Sequence, residues 1–528
     1  MKRFVIILLI LAGALLSISL ISRGFDGDFG WHLRFGQQIA SGHFPYTDSY
    51  TWSYAGLPYV NHEWGSDLIF WFVYHTVGYN FLVILIGLAI WTAFVLAIYL
   101  GQKKLTPSAL FIAMVALWSI SYILLPRSTV IAPLFSILLL LCLEKIPGKK
   151  YYYAWPALFW IWAAMHGSWI LGFIIIAIYL VGNAGAYFLT LRWPQLRLTS
   201  HWSKVDYKNV AVFAGISLLA TLLNPYGFGL WREVFSYFST TYYQQFINEW
   251  LPSYTYPIFW IPLIIGSVVA ALAILGIVKR RLTLPQFLLF AAFFYSAWRY
   301  KRNMIYLMLI AVPILAITLE EVKNGWRRAF PPPKKTLVFF GPYGEYFVLV
   351  VFILFSFGST LHLTQDVWHD QALLSANGFP LAAAEFLVKT EKQTPVILFN
   401  EFRWGGFLDW MLPNVPLYID GRGTATWRLP SGELLFQKYR ALRFDPGGLA
   451  AIEQTPANFI LLQRDFTGYS GTPDAINRFI FGSNNLPGEA PAQPTQLEND
   501  LATSHDWKLV YQDPLALIWQ RIVTSTVR

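Results

Sequence analysis

Two aspartates, Asp26 and Asp28, stand on either side of one glycine, a few residues beyond an apolar segment at 4–21. A carboxylate at a membrane surface can act as a general base towards a hydroxyl group when burial tunes its pKa to the working pH. A second carboxylate beside it can bind a metal ion or a hydroxyl group. The pair therefore predicts chemistry at the membrane surface, with Asp28 and Asp26 as the candidate catalytic residues.

The polar segment that follows these aspartates contains groups suited to contacting a substrate: His32, His62 and Glu63. A structural alternative exists for the aspartates, because aspartate caps helices well and a surface helix would begin near Phe29. Asp48 follows Pro-Tyr-Thr and precedes serine, a context typical of a turn or a helix cap. We therefore expect the active site in this segment, with Asp48 in a structural role.

The histidines do not indicate a zinc site. His32, His62 and His166 lack the four-residue spacing that places two imidazoles on one face of a helix. A hard divalent cation, Mg²⁺ or Mn²⁺, on Asp26 or Asp28 is an open alternative, because carboxylate and water oxygens suit those ions. No Gly-rich phosphate loop occurs, so no nucleotide or other cofactor is predicted.

Composition defines the class of protein in which these residues must work. Of the 528 residues, 56% are apolar and 13% are charged, and several apolar runs approach the ~20 residues that a membrane-spanning helix requires. The sequence therefore predicts a polytopic α-helical membrane protein with about eleven transmembrane helices. These are expected at 4–22, 80–100, 107–124, 128–143, 153–165, 168–190, 209–223, 257–278, 284–298, 303–319 and 346–362.

Basic residues predict the orientation of these helices, because cytoplasmic loops collect lysine and arginine. Lys2 and Arg3 precede the first helix and no small-x-small cleavage site follows it, which indicates a retained signal anchor. An odd number of helices then places the C-terminus outside. The formal net charge of +10 reflects the cytoplasmic loops, so no nucleic-acid partner is predicted. We expect a multi-pass protein of the plasma (inner) membrane with a cytoplasmic N-terminus.

Three arginines on the predicted outer side depart from this bias: Arg127, Arg299 and Arg302. Arginine offers a planar, bidentate donor, so these residues are predicted to bind the phosphate of a lipid-linked substrate. The alternative is contact with lipid headgroups or with the acidic first outer loop. Glu249, in a later outer loop, is a further candidate for substrate contact, with a solvated structural role as its alternative.

After residue 362 the long apolar runs stop and acidic residues become frequent. The sequence thus predicts a transmembrane domain at 1–362, with its first outer loop at 23–79, and an extracytoplasmic soluble α/β domain at 363–528. In this second domain, strands are expected at 396–399, 416–419, 459–462, 508–511 and 516–519, helices at 381–389, 404–411, 432–440 and 474–481, and a surface loop at 482–499.

Two polar motifs follow predicted strands of this domain, at 400–406 and 420–423. Residues at strand ends commonly contact ligands in α/β domains, so the two motifs together indicate a contact with an acceptor or a sugar. Taken singly, each motif is more typical of a structural turn.

The chain resembles the GT-C superfamily of integral membrane glycosyltransferases. The resemblance rests on the uncleaved first helix, the outer loop that opens with Asp-Gly-Asp, the multi-helix body and the α/β tail. It is strongest to bacterial members of that superfamily. The stretches that carry it are 28–36, 42–48, 61–64, 224–227, 249–250 and 420–422.

The resemblance implies an enzyme that moves a sugar from a polyprenyl-phosphate-linked donor to an acceptor on the outer face of the membrane. The implied base is a first-loop aspartate, Asp26 or Asp28, and we expect inversion at the anomeric carbon. The implied partners are the lipid-linked sugar, membrane lipid, and a glycan, lipid or protein acceptor. No Trp-Trp-Asp signature occurs in the tail, which disfavours asparagine as the acceptor.

Two other functions are open at the level of sequence. A transporter or flippase of lipid-linked sugars would also need outer acids, cations and aromatic residues. It would typically show ionisable residues in mid-membrane or broken helices in matching halves, and the chain shows little of either. A non-catalytic assembly factor would use the exported domain to bind glycans of the cell envelope.

Overall fold

The computed structural model describes residues 2–146, 150–196, 198, 202–329, 350, 351, 353, 354, 357, 358, 360–464 and 495–522. The predicted eleventh helix, 346–362, lies in part outside these residues, which lack 346–349, 352, 355, 356 and 359. The predicted helix 474–481 and most of the predicted loop 482–499 also lie outside them.

Within the described residues the chain is mainly helical, with one small sheet near its C-terminus. The helices are α1 (Lys2–Ser22), α2 (Phe29–Ala40), α3 (Trp64–Val77), α4 (Tyr79–Gln102), α5 (Pro107–Ser119), α6 (Ala132–Leu143), α7 (Trp155–Met165), α8 (Trp169–Arg192), α9 (Lys204–Ala220), α10 (Phe228–Ser239), α11 (Trp260–Val278), α12 (Leu284–Arg299), α13 (Met304–Ala329), α14 (Gln371–Ala376), α15 (Leu381–Glu391), α16 (Gly405–Met411), α17 (Leu435–Phe444), α18 (Gly448–Glu453) and α19 (Gln496–Thr503). The strands are β1 (Leu398–Asn400), β2 (Phe459–Gln463), β3 (Trp507–Gln512) and β4 (Ala516–Arg521).

A helix occupies each of the first ten predicted membrane segments. In the described part of the chain, five helical segments are both long and apolar enough to cross a membrane, and shorter apolar helices lie between them. The prediction of a polytopic membrane protein with a C-terminal domain is confirmed. The five segments are Arg3–Ser22, Tyr79–Gln102, Trp169–Arg192, Pro257–Val278 and Lys301–Thr318.

The chain divides into two compact units. The first comprises residues 1–24, 80–225 and 252–363 and contains these apolar helices. Its helices approach closely at glycines: a Cβ on Gly87 would meet the backbone of Ile18 at 2.9 Å, and one on Gly101 would meet that of Pro313 at 2.9 Å. Small residues at such crossings allow the close helix packing on which association within a membrane depends.

The second unit comprises residues 25–79, 226–251 and 364–528. It therefore combines the first predicted outer loop, with α2 and α3, and the segment of α10 with the C-terminal α/β domain. The four strands form one sheet in the order β1-β2-β4-β3, in which β1 and β2 are parallel and the other two pairs are antiparallel. The division of the chain into a membrane domain and an exported domain after residue 362 stays a prediction about topology.

Two predictions for the C-terminal domain were wrong. The segment 416–419 is not a strand of the described sheet: Pro416 has no N–H, the Asn400 side chain accepts from the Tyr418 N–H at 2.9 Å, and only an isolated bridge joins Leu417 to Leu398. Helix α19 begins inside the stretch 482–499 that was predicted as a loop. A capping box starts this helix, because Thr495 and Glu498 satisfy each other's backbone N–H groups.

Candidate functional site

The two aspartates of the first loop have different surroundings. Asp26 is buried, and its Oδ1 accepts a hydrogen bond from the Asp28 backbone N–H at 3.2 Å. Helix α2 begins directly afterwards at Phe29, as the capping alternative predicted, yet the Asp28 side chain forms no capping hydrogen bond. Asp26 therefore shapes the turn, and the Asp28 side chain does not cap the helix.

Glycines bring the start of α2 into close contact with the C-terminal domain. A Cβ on Gly30 would overlap the carbonyl of Gly406, so the two backbones touch without an intervening side chain. A Cβ on Gly421 would overlap the Asp28 carboxylate in the same way. The Asp28 carboxylate thus lies directly beside the backbone of the Asp-Gly-Arg segment at 420–422.

One turn further along α2, His32 belongs to a buried hydrogen-bonded network. Its Nδ1 lies 2.5 Å from Asp67 Oδ1, and the Asn61 amide donates to Asp67 Oδ2 at 2.6 Å. The Nε2 atom of His32 lies 3.9 Å from Glu63 Oε2. The backbone N–H of Glu63 donates to Asn61 Oδ1 at 3.0 Å. Asp28, at the N-cap of α2, and His32, on α2, are therefore four residues apart. Helix α3 supplies Asp67, the acid that orients the His32 imidazole.

Electrostatics in this network favour a charged imidazole. Burial disfavours the charged ring, but the carboxylates of Asp67, Glu63 and Asp28 outweigh that effect, so the pKa of His32 is raised above its ordinary value. Burial raises the pKa of Asp67 to about 6, against the opposing effects of His32 and Asn61. The imidazole and its acid can therefore share a proton near neutral pH.

The raised pKa of His32 predicts a pH-dependent contribution to stability. This contribution is fully present below the ordinary pKa of 6.5 and is lost as the pH rises through the raised value, because the folded state holds the proton more tightly. We expect the thermal unfolding midpoint of the detergent-solubilised protein to fall as the pH is raised above 6.5, and this fall to be smaller in His32→Gln.

The matched control for this experiment is His369→Gln. His369 also contacts a carboxylate, Asp366, at 2.7 Å, but the two side chains are 59% and 54% exposed, so solvent screens their interaction. The control should follow the wild-type pH dependence. Equal pH dependence in wild type and His32→Gln would contradict the role assigned to the buried imidazole.

A second buried cluster surrounds Arg422. Its guanidinium forms a two-point hydrogen bond with Asp420, and its Nη2 lies 2.9 Å from Asp48 Oδ1. Asp48 Oδ2 also accepts from the backbone and hydroxyl of Thr51, so the predicted turn role is accompanied by an ion pair. Four aromatic rings enclose the guanidinium at 4.9–5.2 Å: Phe35, Tyr50, Tyr59 and Trp427.

A third carboxylate, that of Asp409 on α16, is fully buried near this cluster. Neither of its oxygens has a hydrogen-bond partner among the described residues. Burial and the nearby Asp420 raise the pKa of Asp409 well above its ordinary value. The raised pKa favours the protonated, neutral form of Asp409. Arg422 then has two negative charges to neutralise, those of the Asp48 and Asp420 carboxylates.

The motifs at 400–406 and 420–423 have mainly structural contacts. Glu401 is buried and accepts from Tyr439 at 2.8 Å and from Arg443 at 3.0 Å, and Arg422 is occupied by the ion pairs above. Their charged side chains are therefore engaged inside the second unit. The glycine backbones of both motifs lie against the candidate catalytic residue Asp28: Gly406 beside its Cα atom and Gly421 beside its carboxylate.

The predicted site residues are divided between the two units. Asp26, Asp28, His32 and Glu63 lie close together in the second unit, which also contains two further candidates. The imidazole of His62 packs against Tyr237 with ring centroids 5.9 Å apart, and Glu249 lies in a short 3₁₀ turn. The first unit contains Arg127, Arg299 and Arg302.

No family profile and no curated protein sequence matches this chain. Solved structures do. The archaeal oligosaccharyltransferase AglB from Archaeoglobus fulgidus, in complex with an inhibitory peptide and a dolichol-phosphate, superposes with a TM-score of 0.55 at 10% identity, covering 88% of this chain and 69% of that chain. The chain has a GT-C-like fold.

Two further structures of the Archaeoglobus fulgidus oligosaccharyltransferase match as well. The enzyme tethered to an acceptor peptide that contains the NVT sequon gives a TM-score of 0.52 at 12% identity, covering 88% of this chain and 69% of that chain. The apo form of that enzyme gives a TM-score of 0.50 at 11% identity, covering 97% of this chain and 80% of that chain. The GT-C-like fold predicted from the sequence is confirmed.

The described residues show no ready-made ligand set for a divalent cation. Among them, no group of three or more histidine, cysteine, aspartate and glutamate side chains is gathered as metal ligands. Asp26 accepts from a backbone N–H instead. No chemical step is therefore assigned to a metal ion on Asp26 or Asp28.

Sequence reasoning missed the role of Asp67, which orients His32, and that of Arg422, which joins the first loop to the C-terminal domain. Asp67 lies in the first outer loop, four residues after Glu63 and close to the Asn61-His62-Glu63 motif. Its pairing with His32 spans 35 positions in the chain. Spacing alone gives no signal for a tertiary contact of that length.

Proposed function

We propose that this chain is a membrane glycosyltransferase that moves a sugar from a polyprenyl-phosphate-linked donor to an acceptor on the outer face of the membrane. The observation that carries the proposal is the Asp28 carboxylate. It lies at the start of α2, beside Gly421 and one turn from a buried imidazole, in a chain with a GT-C-like fold.

The proposed step is a single displacement. Asp28 removes the proton from the acceptor hydroxyl while the acceptor oxygen attacks the anomeric carbon from the face opposite the phosphate. The bond between that carbon and the phosphate oxygen breaks, and the lipid phosphate leaves with the electron pair. The configuration at the anomeric carbon inverts, and Asp28 retains the proton until it passes to solvent.

We assign the base to Asp28 and a positioning role to Asp26. The Asp26 carboxylate is buried and accepts the Asp28 N–H, so it fixes the turn from which Asp28 projects. Asp28 is the less buried of the two. His32 and Glu63 would then set the charge around Asp28. They would also contact the substrate, which is the role that the sequence predicted for them.

The remaining candidates would bind the donor. Arg127, Arg299 and Arg302 are proposed to neutralise the departing lipid phosphate, which suits a guanidinium because it offers parallel N–H donors. His62 and Glu249 are proposed to contact the sugar or the acceptor. Support for a lipid-linked donor comes from the dolichol-phosphate bound in the structurally similar oligosaccharyltransferase. The acceptor would be a glycan, a lipid or a protein, and the membrane would be the plasma (inner) membrane.

The proposal is tested with purified full-length protein in nanodiscs and a panel of short-chain polyprenyl-phosphate donors that carry labelled sugars. The expected result is release of the lipid phosphate coupled to appearance of the label on an added acceptor. In proteoliposomes, movement of intact donor between leaflets without cleavage would instead indicate a transporter. Neither cleavage nor movement, together with glycan binding, would indicate an assembly factor.

The contact between Gly421 and Asp28 gives a further prediction. In Gly421→Ala the new methyl group would overlap Asp28 Oδ1, the movable end of a side chain, and would displace the carboxylate. The φ angle of Gly421 is not in the left-handed region, so alanine adds no backbone strain. We expect kcat for transfer to fall on the order of 10²-fold with an unchanged thermal unfolding midpoint.

Gly229→Ala is the matched control, because its Cβ would make only ordinary contacts, at 3.5 Å and 3.7 Å. It should transfer sugar at the wild-type rate. Wild-type kcat in Gly421→Ala would show that the placement of the Asp28 carboxylate beside Gly421 does not matter for the reaction.

A further inference from the structure

Helix α10 has two faces with opposite surroundings. Leu230 is fully buried and Val234 is 6% exposed, so one face packs inside the second unit. On the other face Phe228 is 70% exposed, Phe235 47% and Phe238 62%. At 100° per residue these three phenylalanines fall on one side of the helix, which we call the aromatic face.

The aromatic face includes two pairs of neighbouring rings. The rings of Phe228 and Trp231 lie 5.6 Å apart, and those of Phe235 and Phe238 lie 6.5 Å apart. Large aromatic side chains exposed side by side are rare on a protein surface that meets only water, and such a patch indicates a partner. Aromatic rings are favoured at the level of lipid headgroups.

The charges on α10 are arranged asymmetrically. Arg232 is exposed on the same side as Phe228 and Phe235. The acid next to it, Glu233, lies about 100° further around the helix and is partly buried. The exposed side therefore carries a cation and no acid, which complements the phosphates of lipid headgroups.

The length and position of α10 also fit a helix that lies along a membrane. With 12 residues it is too short to cross a bilayer. Seven residues, 221–227, separate α10 from α9, which occupies one of the predicted membrane segments. The connection between the two helices therefore spans at most about 28 Å. A membrane segment, Pro257–Val278, also follows it in the chain.

From these observations we propose that α10 lies in the membrane interface, with its aromatic face inserted among lipid headgroups and Arg232 beside their phosphates. The inference does not depend on glycosyl transfer. It assigns a lipid-binding surface to a segment of the unit that also contains the C-terminal domain, and it would anchor that unit to the bilayer independently of the spanning helices.

The test uses spin labels in full-length protein reconstituted in nanodiscs that contain an anionic phospholipid. Cys142, the only cysteine, is first replaced by alanine, and one label is then placed with Phe235→Cys. A matched label at Ser431→Cys marks an exposed loop of the same unit. Collisional relaxation by oxygen, which partitions into lipid, and by a water-soluble nickel chelate is measured for each label.

The expected result is stronger relaxation by oxygen than by the nickel chelate at position 235, and the reverse at position 431. Arg232→Gln should reduce the difference at position 235 more in anionic than in zwitterionic nanodiscs. Equal access of the nickel chelate to both positions would overturn the proposal. Dipolar broadening between labels at position 235 would overturn it too, because it would show that a second copy of the chain covers the aromatic face.

Discussion

Replacing Asp28 with asparagine is expected to slow sugar transfer by about 10²- to 10⁴-fold, the usual contribution of a positioned general base. Asparagine has nearly the same shape but cannot accept the proton of the acceptor hydroxyl. Because this substitution preserves the size and shape of a side chain that does not cap α2, the variant should fold normally. The measurement is the single-turnover rate of transfer from a labelled donor, with the unfolding midpoint recorded on the same preparation.

Asp26→Asn is the matched control for this experiment. The amide oxygen of asparagine can still accept the Asp28 N–H, so the turn should persist and the rate should fall far less than in Asp28→Asn. The reverse order of effects would move the role of base to Asp26. Retained activity in both variants would rule out a first-loop aspartate as the base.

The largest effect on stability is expected from Arg422→Met. This change removes the cation that neutralises Asp48 and Asp420 and leaves both carboxylates buried, which costs about 3–5 kcal/mol of unfolding free energy for a broken buried pair. The contacts with four aromatic rings are lost as well. Chemical denaturation of the full-length protein in detergent, followed by intrinsic fluorescence, measures the effect.

Two further variants make the Arg422 result interpretable. Arg428→Met, at an exposed arginine of the same unit, should change the unfolding free energy little. Arg422→Lys keeps the charge but loses the two-point contact with Asp420, so its stability should fall between wild type and Arg422→Met. An Arg422→Met protein as stable as Arg428→Met would show that the cluster does not hold the first loop on the C-terminal domain.

Much of the architecture could be predicted from the sequence because it depends on local patterns. Apolar runs of membrane-spanning length predicted the membrane helices, and the first ten are present at the expected places. The helix that starts near Phe29 was expected only under the structural alternative for the aspartates, and the Asp28 side chain does not cap it. Four of the five strands of the C-terminal domain were also found from short apolar segments.

The predictions that failed depended on contacts that a local pattern does not contain. The segment 416–419 looks like a strand, but the Asn400 side chain takes the hydrogen bond that a neighbouring strand would provide. Helix α19 had a local signal that was overlooked, since Thr495 and Glu498 have the spacing of a capping box.

The candidate site was predicted in its parts but not in its assembly. The first-loop residues Asp26, Asp28, His32 and Glu63 lie near one another because one loop carries them all. The Asp28 carboxylate lies beside the backbone of Gly421, and no periodicity relates residues so far apart in the chain. The same holds for Arg422 and Asp48, whose buried ion pair joins the first loop to the C-terminal domain.

The most direct test of the central claim is the anomeric configuration of the product. A donor of one defined anomer is incubated with wild-type protein in nanodiscs, and the new glycosidic bond is assigned by NMR. Single displacement with Asp28 as base predicts a product of the opposite configuration. A product that keeps the donor configuration, or a donor whose bond to phosphate stays intact with every acceptor, would contradict it.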